Sequence, residues 1–170
     1  MSISKVILLA IVAALLVTFA VASAIPSDAV IESILGTFEK EYEMSDAIST
    51  ASPAAVNAAR FAQQQVGKCY SQQNRLGNPC FDCSGLVYTA YKSQGKTVPT
   101  STGVYPNGNI YEVTGQPMEV GDILFRPGHV GIYVGGNQVV SAENSRTGVR
   151  QRDMGYYSAY LKFTKVYRVR

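Results

Sequence analysis

Phe81-Asp82-Cys83-Ser84-Gly85-Leu86-Val87-Tyr88 reads as the mouth of a helix. Asp82 is a suitable N-cap, Cys83 falls in the first turn, and Leu86, Val87, Ala90 and Tyr91 follow at helical spacing before Gly95 ends the run. A cysteine in that position has a chemical use. Unpaired backbone N–H groups and the positive end of the helix dipole favour thiolate over thiol, which makes Cys83 a better nucleophile near neutral pH. The same N–H groups are donors for an oxyanion.

A thiol nucleophile needs a base, and the 170 residues contain one histidine. His129 lies in Gly121-Asp122-Ile123-Leu124-Phe125-Arg126-Pro127-Gly128-His129-Val130-Gly131-Ile132-Tyr133-Val134-Gly135-Gly136, which alternates like two strands joined by an Arg-Pro-Gly turn. Any Cys/His pair in this chain must use His129, and Cys83 at the helix mouth is its candidate partner. Strand alternation puts His129, Gly131 and Tyr133 on one face and Val130, Ile132 and Val134 on the other, and Gly131 leaves room beside the imidazole. After the turn at Gly135-Gly136-Asn137, Gln138 to Glu143 forms a third strand.

Asp82-Cys83-Ser84-Gly85 at a helix start, then Gly121-Asp122-Ile123-Leu124-Phe125, then His129-Val130-Gly131-Ile132-Tyr133-Val134-Gly135, resembles the NlpC family of papain-like cell-wall cysteine peptidases over roughly residues 53 to 170. Three ordered motifs are more specific than a lone Cys or His. The resemblance implies an α+β fold with helices packed on a mostly antiparallel sheet, and hydrolysis of an amide in the peptide stem of peptidoglycan, typically between D-glutamate and a diamino acid. It implies Cys83 as nucleophile and His129 as base, and no cofactor; the alternatives are a weakened or inactive membrane-tethered wall-binding protein, and acyl transfer or amidase chemistry by the same Cys/His pair. Gly67-Lys68-Cys69-Tyr70 resembles the family's Gly-Lys-Pro-Tyr, which makes Tyr70 a candidate oxyanion donor together with the Cys83 N–H. Asp82, Ser84 and Ser101 are candidate substrate contacts, Asp82 for an ammonium group, and Asp82 is equally a helix cap and Ser101 a turn former.

The chain departs from the family where relatives carry a polar residue, most often His, to orient the imidazole: Ser141 stands there. Loss of that acceptor can cost up to roughly 10⁴-fold in a triad. Ser141 is the first candidate for the third position, directly or through water. Glu143, on the same strand face and with more reach, is the alternative, and Asn144 follows.

Cys69 and Cys80 flank a polar loop and could pair, leaving Cys83 free; Cys80-Phe81-Asp82-Cys83 also matches a redox CxxC spacing, without the βαβ context that such a site needs. One His and scattered acids make no metal site. The net charge of +3, from 15 basic and 12 acidic residues, is too mild and dispersed to argue for a nucleic-acid partner.

Val6 to Val21 is apolar apart from Thr18, with Lys5 before it and Ala22-Ser23-Ala24 after it. Residues 1–25 therefore read as a signal peptide cleaved after Ala24 or as a retained membrane anchor, and both place the remainder outside the cytoplasm, periplasmic or extracellular. A membrane-anchored wall hydrolase of a bacteriophage fits the same pattern. Residues 26–52 read as an amphipathic juxtamembrane helix over Asp28 to Ile48, with a linker at Ser45 to Ser52. Ser52-Pro53 opens the peptidase domain, 53–170, as N-cap and first helical residue. Gly103 to Gln116 reads as an irregular connection and Met154 to Arg170 as the closing strand of the sheet.

Overall fold

The structure, a computed structural model, describes residues 28–170, so the expected signal peptide or anchor over 1–25 lies outside the described residues. Two compact units divide between Lys40 and Glu41. Helix α1, Asp28–Thr50, begins in the first and ends in the second. It runs through most of the expected linker, which shrinks to Ala51 and Ser52, because no helix breaker stands between Ser45 and Thr50. Among the described residues no helix is long and apolar enough to cross a membrane.

Helix α2, Pro53–Gln64, starts as its sequence dictates. The Ser52 hydroxyl accepts from Ala55 N at 3.2 Å, and Pro53 occupies a position where no N–H is needed. Its buried face is Ala55, Ala58, Ala59 and Ala62, small residues that let it lie close to helix α3, Cys83–Lys92.

Six strands make one sheet: β1 (Ile110–Glu112), β2 (Ile123–Arg126), β3 (His129–Gly135), β4 (Gln138–Asn144), β5 (Gly148–Asp153) and β6 (Lys165–Val169), in the order β1-β6-β2-β3-β4-β5, with every ladder antiparallel. Period-two alternation divides the sheet into two buried faces. Ile123, Phe125, Val130, Ile132, Val140 and Ala142 join the main core with Leu86, Val87, Ala90 and Tyr91 of α3. Leu124, Tyr133 and Val139 instead pack with Tyr157 of a short helix α4, Met154–Tyr160. The fold is α+β with helices on a mostly antiparallel sheet.

Three segments differ from the expectation. Ile110–Glu112 is a short strand inside the supposed irregular connection, and Gly148–Asp153 is a fifth strand built on Asn144, whose side chain accepts from Arg146 N and Thr147 N at 3.0 and 3.1 Å and so turns the chain. The tail is not one strand: Asp153 caps α4 by accepting from Gly155 N at 2.6 Å, and only Lys165–Val169 is extended. That strand lies between β1 and β2 rather than at an edge, where Arg168 reaches buried Asp122 through Nε and Nη2, each at 2.8 Å, and Glu119 at 2.6 Å.

A disulfide joins Cys69 to Cys80 and closes the loop that lies on the start of α3. Phe81 N donates to Cys69 O at 3.0 Å, Ser71 N to Phe81 O at 3.0 Å, and Asp82 N to Arg75 O at 3.3 Å. Gly85 makes this approach feasible, since a Cβ there would stand 1.9 Å from Arg75 O. Gly85→Ala should therefore lower stability by about 1–3 kcal/mol, as overpacking against a main-chain atom does. Gly108→Ala, where a Cβ meets nothing within 4 Å, should stay within about 0.5 kcal/mol of the parent, both read from denaturant midpoints.

Candidate active site

Cys83 opens α3, capped by Asp82, whose Oδ1 accepts from Gly85 N at 2.6 Å. With Cys69 and Cys80 joined, Cys83 is the free thiol, and it is buried, 7% exposed. The amides of Ser84 and Cys83 itself, at the open helix end, and the amide of Val130 on β3 all act on the sulfur. Val130 directly follows His129, so the helix mouth and the start of β3 meet at the thiol.

His129 is 5% exposed and stands where β3 leaves the Arg126-Pro127-Gly128 turn. Pro127 followed by Gly128 at φ 82° fits a tight turn with a left-handed third residue. The imidazole lies nearly parallel to Phe163, ring centres 5.9 Å apart. Its Nε2 is 2.7 Å from the hydroxyl of Ser141, a fully buried residue of β4. The same hydroxyl donates to Val130 O at 3.0 Å. A carbonyl can only accept, so the single hydroxyl proton goes there and the oxygen lone pairs face His129. That arrangement makes Nε2 the protonated nitrogen and leaves Nδ1 with a free lone pair. Gly131 supplies room here on the β4 side: a Cβ would meet Val139 Cγ1 at 2.7 Å and Ser141 Cβ at 3.4 Å.

Glu143 and Asn144, the alternatives to Ser141, are occupied elsewhere. Glu143 binds Arg152 at 2.5 and 3.2 Å and accepts from the Tyr157 hydroxyl at 3.4 Å, while Asn144 turns the β4–β5 connection. Tyr70 is half-buried beside the thiol; burial raises its pKa first, and Cys83 and Asp82 add to the rise. Ser84 is buried and bonded, donating to Asp82 Oδ1 at 3.2 Å and accepting from Arg75 Nη2 at 2.8 Å. Ser101 is an exposed turn former, accepting from Gly103 N at 3.3 Å.

Arg75 is the site residue that the sequence argument missed. Its Nε lies 2.7 Å from Asp82 Oδ2, and its Nη2 also donates to Thr100 O, tying the disulfide loop, the helix mouth and the loop after α3 together. The Asp82 carboxylate is thus paired with a cation through Oδ2 while Oδ1 caps the helix. The available signal was that Arg75 is the one charged residue between Cys69 and Cys80.

Burial decides the resting protonation. It raises the Cys83 thiol, Asp82 pushes the same way, and the three amides only partly offset them. The helix mouth therefore does not make a resting thiolate, contrary to the sequence-based expectation. Burial likewise brings the His129 imidazole down to about 4, with Arg126 adding to the fall and Glu143 opposing it. At neutral pH the site holds a thiol and a neutral imidazole. Among the described residues no cluster of His, Cys, Asp and Glu could hold a metal ion.

A family model for the NlpC/P60 family matches residues 67–167. The chain is similar to a probable endopeptidase of Corynebacterium glutamicum, 37% identical over an alignment of 107 residues, which covers 61% of this chain and 48% of the relative. It is also similar to a murein DD-endopeptidase of Escherichia coli, 34% identical over 94 residues, 50% of this chain and 34% of the relative. The chain thus spans about half the length, or less, of these curated relatives. The crystal structure of the NlpC/p60 domain of the peptidoglycan hydrolase SagA superposes with a TM-score of 0.55 at 21% identity, covering 68% of this chain and 98% of that one, a likeness of fold.

Alkylation of Cys83 by iodoacetamide should keep accelerating as pH rises past the ordinary thiol value of about 8.5. A plateau already reached below pH 7 would show a resting thiolate and contradict the raised thiol.

Proposed function

The chain belongs to the NlpC/P60 family, and on that premise we propose that it is a peptidoglycan hydrolase, a cysteine endopeptidase that cuts an amide of the stem peptide, the D-glutamyl–diamino acid bond. The observation that carries this reading is the Ser141 hydroxyl held between His129 Nε2 and Val130 O, because it leaves Nδ1 as the basic nitrogen of the residue that precedes Val130, whose amide acts on the buried Cys83 sulfur.

In the proposed reaction Nδ1 of His129 takes the Cys83 proton as the sulfur attacks the amide carbonyl. The Cys83 N–H and the Tyr70 hydroxyl donate to the tetrahedral oxyanion. The imidazolium, its Nε2–H still on Ser141, returns the proton to the leaving amine, and a thioester remains. Water then gives a proton to Nδ1 as its oxygen attacks the thioester; the tetrahedral intermediate collapses to the acid and expels the Cys83 sulfur, which takes the proton back from Nδ1. A neutral starting pair suits this sequence, since both proton transfers run through an imidazole that begins without charge. The name of the Escherichia coli relative, a murein DD-endopeptidase, supports murein as the substrate class, while the choice of the D-glutamyl bond comes from the family resemblance. Export, with the N-terminal segment either removed or kept as a membrane anchor, would bring the domain to the wall.

A second reading, a wall-binding protein with weakened chemistry, is favoured by the raised thiol and by serine at the third position. Product analysis separates the two. Mass spectrometry of defined peptidoglycan fragments incubated with the full chain should show a D-glutamyl cleavage product that Cys83→Ala abolishes. Ser141→Ala should lower kcat by roughly 10²- to 10⁴-fold while the product stays the same. Intact fragments in the presence of folded protein with an alkylatable thiol would sink the hydrolase reading in favour of the binding one.

The acid limb of kcat/KM should lie near pH 4, where His129 protonates, rather than near the ordinary histidine value. The sign follows from burial: a depressed imidazole pKa keeps the base available down to that pH, and activity falls as pH drops through it.

A further inference from the structure

Arg126 is the cross-strand partner of His129 in the β2–β3 ladder, so the two side chains leave the same face of the sheet. The residue is half-buried, and its Nε is shielded from solvent with no hydrogen-bond partner. The ion pairs among the described residues join Arg75 to Asp82, Arg152 to Glu143, Lys165 to Glu112, and Arg168 to Glu119 and Asp122; Arg126 has none. The acid that acts on His129 among the described residues is Glu143, and it is taken by Arg152 and Tyr157. The other half-buried arginines of the domain's polar networks are paired, and the unpaired one stands beside the proposed base.

A guanidinium cannot escape the cost of burial by deprotonating, and a shielded N–H without an acceptor calls for a partner. The substrate class supplies one. A glutamyl residue with one carboxyl group in the scissile amide carries its other as either a carboxylate or a carboxamide. We propose that Arg126 is a specificity-determining residue whose guanidinium binds the free carboxylate of the glutamyl residue next to the scissile amide, selecting anionic stem peptides over amidated ones. This rests on the hydrolase reading above. It has a consequence at the base. A carboxylate on Arg126 offsets the positive charge that disfavours protonation of His129, so the imidazole becomes a better proton acceptor when the anionic substrate is seated.

The test uses the full chain carrying Cys83→Ala and two acetylated D-glutamyl peptides that differ only in that carboxylate or carboxamide, with affinity measured by calorimetry and the single imidazole followed by NMR. The carboxylate peptide should bind about tenfold or more tightly, as expected for a charge-assisted pair, and should perturb the imidazole resonances. The preference should vanish in Arg126→Gln and survive in part in Arg126→Lys, which keeps the charge. Equal affinity for the two peptides overturns the proposal, as does an undiminished preference in an Arg126→Gln protein with an unchanged melting temperature, or no measurable binding of either peptide. The hydrolase reading fails on a different result, namely that the Cys83 protein leaves every stem fragment uncut.

Discussion

The Ser141 hydroxyl, 2.7 Å from His129 Nε2 and donating to Val130 O, is the contact on which the rest of the site depends. It exists only in one register of β3 against β4. A slip of one residue would turn Ser141 into the main core and bring a valine or alanine to the imidazole. The register is held by residues with no chemistry: Ile132 opposite Val140 within the main core, and Tyr133 opposite Val139 within the second. Gly131 contributes by having no side chain where Val139 and Ser141 crowd its strand. Packing on the two faces of the sheet therefore sets the direction of the proposed proton path.

The other half of the site is organised from the helix side. The Cys69–Cys80 disulfide closes a loop whose carbonyl at Arg75 rests on Gly85, while the Arg75 side chain spans Asp82, Ser84 and Thr100. Cys83 is thus fixed between a covalently closed loop and the amide of Val130. Burial is the common cost of this precision. It raises the thiol and lowers the imidazole, so both groups rest uncharged, the state from which the proposed reaction starts.

Much of this was legible in the sequence because local rules and chemistry agreed. Asp82 before Cys83 marks a capped helix start, Ser52-Pro53 marks another, and the alternation around His129 marks two strands; all three form as read. Strands β1 and β5 were not legible, because Ile110–Glu112 is only three residues long and Gly148–Asp153 is mostly polar. In the tail, Leu161 and Phe163 alternate like a strand, yet they pack in the second core from a connection that turns at Lys162, φ 46°. The helix dipole argued for a thiolate, but desolvation depends on how deeply the helix mouth is covered, which no local pattern encodes. Arg75 and Arg126 escaped notice for a related reason: each matters through a partner, or the lack of one, that only the tertiary structure brings near.

The most direct test of the proton path is the tautomer of the one imidazole, read from nitrogen NMR of protein labelled at histidine near neutral pH. The geometry predicts a neutral ring protonated at Nε2, with Nδ1 unprotonated, and a loss of that preference in Ser141→Ala. A ring protonated at Nδ1 in the parent protein would mean that Ser141 donates to His129 rather than accepts from it, and would contradict Nδ1 as the base for Cys83.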